Sequence, residues 1–76
     1  MSGAPAALVE FIVKAIVTDP ESVSIREAEG GRVLELETAP QDRGRVIGRQ
    51  GRVAKALRAV LGASRHGANV RLDIVD

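Results

Sequence analysis

The chain contains no cysteine, which excludes disulfides, thiolate metal sites and cysteine nucleophiles, and suits a reducing cytoplasm. His66 is the only histidine; it stands near Gly67 and Asn69 in an expected loop, so the residues supply no metal-ligand set. No apolar run approaches the roughly 20 residues that span a bilayer. The opening Met1-Ser2-Gly3-Ala4-Pro5 lacks a basic segment, and no signal peptide is expected. Internal repeats and low-complexity tracts are missing. So is the Gly-Lys-Ser/Thr ending of a nucleotide-binding P-loop. Asp42, Asp73 and Asp76 could be read as paired carboxylates, but nothing in the sequence brings two of them into one pocket. With no nucleophile, base and orienting group in sight, catalysis is not expected.

What is present suits a single small domain. Hydrophobic residues make up 45% and charged residues 28% of 76 residues, ordinary globular values. A domain this size buries only about 60% of its unfolded surface, so its core is thin. The net charge of +1 hides an asymmetry. Residues 1–39 hold three basic and seven acidic side chains, for −4; residues 40–76 hold eight and three, for +5. A basic half points to a nucleic-acid or acidic-surface partner, and equally to a solvated helix face.

Pro5 can open a helix, and Leu8, Phe11, Ile12, Ala15 and Ile16 recur at helical spacing behind it. Glu10 and Lys14 form an i,i+4 pair on another face. Asp19-Pro20 ends the helix. Residues 22–27 alternate polar and apolar, as a strand with one wet face does. Gly30-Gly31 reads as a two-residue hairpin turn. Residues 33–37 alternate again, which places Val23, Ile25, Leu34 and Leu36 on the core side. After Pro40 a short helix runs from about Gln41 to Ile47. Beyond Gly48-Arg49-Gln50-Gly51, the residues Val53, Ala56, Leu57, Val60 and Leu61 form the clearest helical stripe of the chain, with Arg52, Lys55, Arg58 and Ala59 off it. Gly62 weakens the end of that helix, and residues 70–74 form a last strand. The order is helix-strand-strand-helix-helix-strand: an α+β fold with a three-stranded sheet and its helices on one face. The helical crossover allows the second and last strands to run parallel. Residues 1–4 are expected to be a disordered N-terminus and 5–76 the domain, divided into an accessory helix and strand (5–29) and a strand-helix-helix-strand core (32–75).

The stretch Val46-Ile47-Gly48-Arg49-Gln50-Gly51-Arg52 carries the chemistry. A glycine admits positive φ and lets backbone approach a phosphate closely. A helix beginning at Gly51 offers N–H groups and a positive dipole end to an anion. Arg45, Arg49 and Arg52 add charge, with Lys55 one turn on; arginine can grip a phosphate with a bidentate fork. Ile47 would support the loop and border an apolar groove. Taken alone, Gly-x-x-Gly is weak, and a plain helix-turn-helix corner explains it as well. The surrounding order and the flanking arginines favour the phosphate-contacting reading.

This stretch resembles the VIGxxG signature of KH domains, which clamp about four nucleotides of single-stranded nucleic acid at that loop. The element order is that of a type II KH domain. Residues 8–15, Ala39-Pro40, residues 51–58 and residues 70–74 are similar to the KhpA family of small stand-alone bacterial KH-domain proteins, and the likeness extends from about Leu8 to Val75. The resemblance implies a cytoplasmic single-stranded-RNA-binding protein, an RNA chaperone or post-transcriptional regulator. It further implies a homodimer that partners KhpB, a larger KH protein, in cell-shape and cell-wall homeostasis. Carried over by position, the phosphate-contacting loop is Gly48, Arg49, Gln50 and Gly51. Ile47, Val53 and Ala54 would line the helical side of the groove and residues 70–74 its far wall. No cofactor is implied. Phosphate contacts are common to RNA and DNA.

Phe11, the sole aromatic residue, is expected on the core stripe of the first helix, so base stacking on aromatic rings is not available. Base contacts would use aliphatic walls and backbone hydrogen bonds, with modest affinity and weak sequence preference per copy. The competing reading is a protein-interaction module or ribosome-biogenesis factor with weak RNA binding of its own. Arg49 and Gln50 at the two loop positions favour RNA, because acidic residues there would repel phosphate. The acidic side chains Glu27, Glu29, Glu35 and Glu37 are expected on a solvated sheet face.

Overall fold

The computed structural model describes residues 4–63 and 69–75. Its elements are α1 (Ala4–Ile16), β1 (Ser24–Ala28), β2 (Val33–Glu37), α2 (Pro40–Ile47), α3 (Arg52–Ala63) and β3 (Arg71–Ile74). Single 3₁₀ turns at Pro20–Ser22, Glu29–Gly31 and Arg49–Gly51 join them. The sheet order is β1-β2-β3, with β1 antiparallel and β3 parallel to β2. This is the expected α+β architecture. The expectations placed on residues 1–3, on 64–68 with His66 and Gly67, and on Asp76 lie outside the described residues.

The alternation of β2 decides which way the sheet faces. Leu34 and Leu36 are buried, and with Val23 and Leu72 they meet Ala6, Val9 and Val13 of α1, Val46 of α2, and Leu57 and Leu61 of α3. Burying one such leucine stabilises by about 1.5–3 kcal/mol. On the opposite face Arg26 sits across from Glu35 and pairs with it, and Arg71 pairs with Asp73 at 3.3 Å and Glu29 at 4.0 Å. Exposed pairs of this kind contribute about 0–1 kcal/mol each. The leucine row therefore fixes the register, since a one-residue slip would turn Glu35 inward. The acidic face is accordingly not simply solvated: Glu35 and Glu29 have arginine partners on the same sheet.

Three local expectations are corrected. Phe11 is 76% exposed, not on the core stripe, and Ala15 is exposed with it. α1 buries Ala6, Val9 and Val13 instead, with Ile12 and Ile16 half-buried beside them. Apart from Glu10 and Lys14 the helix is apolar nearly all round, so spacing alone does not select its inner face. The hairpin connection is not a two-residue Gly-Gly turn. Ala28 pairs with Val33, which leaves residues 29–32 in the loop, and Glu29, Gly30 and Gly31 all take positive φ. β1 starts at Ser24 rather than Ser22, because Pro20 opens a 3₁₀ turn in front of it.

Candidate nucleic-acid interface

α2 is short, and a single side chain fixes its direction. Asp42, in its first turn, is fully buried. Its carboxylate accepts hydrogen bonds from the Thr18 N–H (2.9 Å), the Thr18 hydroxyl (2.8 Å) and the Asp19 N–H (3.0 Å). The Thr18 N–H is the main influence holding this carboxyl below the usual carboxylate value, against burial, which pushes it up. The Thr18 hydroxyl, the Asp19 N–H and the Arg45 guanidinium at 3.9 Å lower it further. The helix bearing the glycine loop is thus fastened to the connection between α1 and β1. Sequence reading missed this role. The visible signal was a carboxylate two residues after Pro40, where a helix N-terminus favours negative charge.

The loop itself is a tight double reversal. Gly48 closes α2, its N–H donating to the Gly44 carbonyl at 2.8 Å, and adopts φ 79°, ψ 167°. That conformation is essentially restricted to glycine. A Cβ on Gly48 would lie 2.5 Å from Val53 Cγ2 and 2.8 Å from the Val53 nitrogen. Gln50 is left-handed at φ 57°, and Gly51 follows at φ 72° with open space around it. Two N–H groups expected to face an anion are already engaged: Gly51 donates to the Gly48 carbonyl at 3.0 Å and Arg52 to that of Arg49. The turn instead presents Arg49 and Gln50 to solvent ahead of the positive end of α3.

The predicted site residues do not all assemble in one place. Arg49, Gln50, Arg52 and Lys55 are exposed at the start of α3, and Arg52 Nη2 donates to Gln50 Oε1 at 3.2 Å. Ile47 is half-buried at the end of α2. Arg45 lies on another side: it borders a cleft of about 450 Å³ between α1 and α3, with Ile12, Ile16, Val53, Ala56 and Val60. Val53, expected on the helical side of the groove opposite residues 70–74, lines that cleft instead. The helical stripe of α3 is accordingly split. Ala54, Leu57 and Leu61 are buried, whereas Ala56 is exposed and Val60 is 41% exposed.

The edge of α3 facing β3 holds a residue the sequence reading passed over. Arg58 donates from Nε and Nη2 to the Leu72 carbonyl, at 3.2 and 3.1 Å. Its sequence signal was its place off the apolar stripe, three residues beyond Lys55 on the ridge that begins at Arg52. Among the described residues no group of three His, Cys, Asp or Glu side chains could hold a metal ion, and no helix is long and apolar enough to cross a membrane.

Comparison with known proteins gives one consistent answer. Residues 6–74 match the family described as KhpA/KhpB, KH domain. A Streptomyces coelicolor protein named RNA-binding protein KhpA is 51% identical over 69 residues, covering 88% of this chain and 86% of its own. A protein of the same name from Halalkalibacterium halodurans is 47% identical over 73 residues, 91% and 96% of the two chains. One from Treponema pallidum is 41% identical over 73 residues, 91% of each. These names are those of binding proteins, not enzymes, in keeping with the absence of catalysis expected from the sequence. No solved structure matches the chain.

Proposed function

The chain belongs to the KhpA/KhpB KH-domain family, and on that premise we propose that it binds single-stranded RNA by gripping the phosphate backbone with Gly48, Arg49, Gln50 and Gly51. The observation that carries this reading is the conformation of the loop. Gly48 in its glycine-only geometry and Gln50 in the left-handed region turn two long polar side chains outward together, at the positive end of α3. Arg52 and Lys55 add charge along the same helix edge, and Ile47 backs the loop. Arg45 contributes less, because part of its charge is directed to Asp42. Bases would lie between α3 and β3 against aliphatic side chains, so a single copy binds with modest affinity.

The wider role we propose is that of an RNA chaperone or post-transcriptional regulator in the cytoplasm. It would act as a homodimer and with a KhpB-like partner in cell-shape and cell-wall homeostasis. The unpartnered apolar side of α1 and α3, with Phe11 and Val60 exposed, supports a protein contact of that kind. The same surface favours the second reading, a protein-interaction module with weak RNA binding of its own. Avidity from a second RNA-binding copy would raise affinity without any new contact.

Titration of labelled single-stranded RNA against the folded wild type and Arg49→Asp/Gln50→Asp, at two salt concentrations, tests the clamp. The expected outcome is binding that weakens with salt for the wild type and loss of binding for the double variant. Equal binding by both would move the RNA contact off the loop. No binding by the wild type, alone or with a KhpB-like partner, would favour the interaction module.

A further inference from the structure

The basic side chains of the second half stand in a stretch with no acid among them: residues 43–72 contain seven arginines, Lys55 and neither Asp nor Glu. Asp42, at the border, is buried and committed to Thr18 and Asp19. The chain has one other lysine, Lys14, whose amine lies 2.9 Å from the carboxylate of Glu10, one turn before it. Lys55 is placed differently. It is exposed on α3, and the residues one turn away are Gly51, Arg52, Arg58 and Ala59, none of them an acid. Arg52 is engaged with Gln50, and Arg58 with the Leu72 carbonyl. Lys55 has no hydrogen bond or ion pair among the described residues.

We propose that Lys55 is an acylation site, and that its donor is an acyl phosphate drawn to the cations around the glycine loop. This rests on the reading of that loop as a phosphate grip. A guanidinium stays protonated in proteins, whereas an ammonium can give up its proton and become a nucleophile. Lys55 is therefore the one cation of residues 43–72 that an acyl donor can neutralise. The phosphate of the donor is attracted to Arg49 and Arg52, which concentrates its acyl group one helical turn from the Lys55 amine. In the step, the ammonium first releases a proton to water. The nitrogen lone pair then attacks the carbonyl carbon, a C–N bond forms, and the C–O bond to phosphate breaks. The second nitrogen proton leaves with the phosphate, and a neutral amide remains. One positive charge is lost from the RNA-binding edge while the arginines keep theirs, so RNA binding is weakened rather than abolished. Bound RNA competes for the same cations and shields Lys55 from the donor.

The test incubates the full chain with acetyl phosphate, or with the uncharged donor N-acetoxysuccinimide, and follows acetylation of Lys55 and Lys14 by mass spectrometry. Acetyl phosphate should favour Lys55 over Lys14 by about tenfold, the low end of what a cationic site does to the local concentration of an anion. High salt, or Arg49→Gln/Arg52→Gln, should collapse that ratio. The uncharged donor should give a much smaller ratio from the start. Equal ratios with the two donors, or no preference for Lys55, overturn the proposal, because Lys55 then reacts only as an exposed amine. The consequence is read on RNA. Lys55→Gln, which carries a neutral side chain, should lower the slope of log affinity against log salt by about 0.7, one phosphate contact on a single strand. Lys55→Arg should keep the slope and escape acetylation at this position. An unchanged slope in Lys55→Gln overturns the effect on RNA. A wild type labelled selectively at Lys55 that binds no RNA overturns the RNA clamp and not the acylation site. A wild type that binds RNA without selective labelling overturns the acylation site and leaves the clamp standing.

Discussion

Glu29–Gly31 and Arg49–Gly51 are two related glycine-containing turns. Each is one 3₁₀ turn, and each holds a non-glycine residue in the left-handed region, Glu29 at φ 53° and Gln50 at φ 57°, with positive-φ glycines beside it. The first joins β1 to β2 on the acidic half; the second joins α2 to α3 on the basic half. The difference lies in what surrounds them. A Cβ on Gly30 would meet nothing within 4 Å, whereas a Cβ on Gly48 would run into Val53. The strand turn needs only conformational freedom. The helix turn needs freedom and bare space together, because α3 starts directly against it. Glycines at a reversal therefore carry no function by themselves; packing and the charge of the outward side chains separate the plain strand connection from the loop proposed to grip phosphate.

The sharpest contrast comes from alanine at the two turns. Gly48→Ala adds a clash to a conformation that alanine scarcely adopts and should destabilise by about 3 kcal/mol. Gly30→Ala pays only for left-handed φ and should cost about 1 kcal/mol. Chemical denaturation of the two variants measures both values. Similar losses would mean that Val53 yields easily and that the turns are equivalent after all.

That contrast also marks how far the sequence was legible. Element order, the parallel crossover, the inward row of Leu34 and Leu36, and the glycine loop all followed from period and turn chemistry, because each is a local or alternating pattern. The inner face of α1 did not, since its apolar residues run nearly round the helix and only the sheet selects Val9 and Val13. The division of α3 into a buried side and a cleft side was hidden for the same reason. Asp42 and Arg58 stayed out of sight because their partners, Thr18 and Leu72, are distant in sequence and include main-chain atoms, which carry no residue signature. The sequence named the loop; long-range hydrogen bonds decide how α2 and α3 present it.

Asp42 extends the comparison, for the strand turn is held by its ladder and the helix turn by this carboxylate. Its pKa lies below the ordinary value of 3.8 in the fold, so its charge stabilises the native state at neutral pH. The contribution fades as pH falls below 3.8 and through the folded value. Asp42→Asn should therefore lower the thermal midpoint at pH 7 and approach the wild type in strongly acid solution. A gap that stays constant with pH would assign the loss to shape rather than charge. RNA affinity of the variant, measured at temperatures where it is folded, should fall as well if this anchor sets the direction of α2.

The smallest effects are the most discriminating. Gln50→Gly and Glu29→Gly each relieve a left-handed side chain and each add freedom to the unfolded chain, so both should change stability by less than about 1 kcal/mol. If the turns are mechanically alike, the two values should agree. RNA binding should then part them. Gln50→Gly also removes the acceptor that holds Arg52 Nη2 and should weaken binding about threefold, the worth of one modest hydrogen bond. Glu29→Gly should leave binding unchanged, because that turn lies on the acidic strands. Should Gln50→Gly bind as well as the wild type, Gln50 itself would not hold the phosphate, and the grip would rest on Arg49 and on the backbone between Gly48 and Gly51. In that case the two turns would differ only in the charge they carry and the helix behind them.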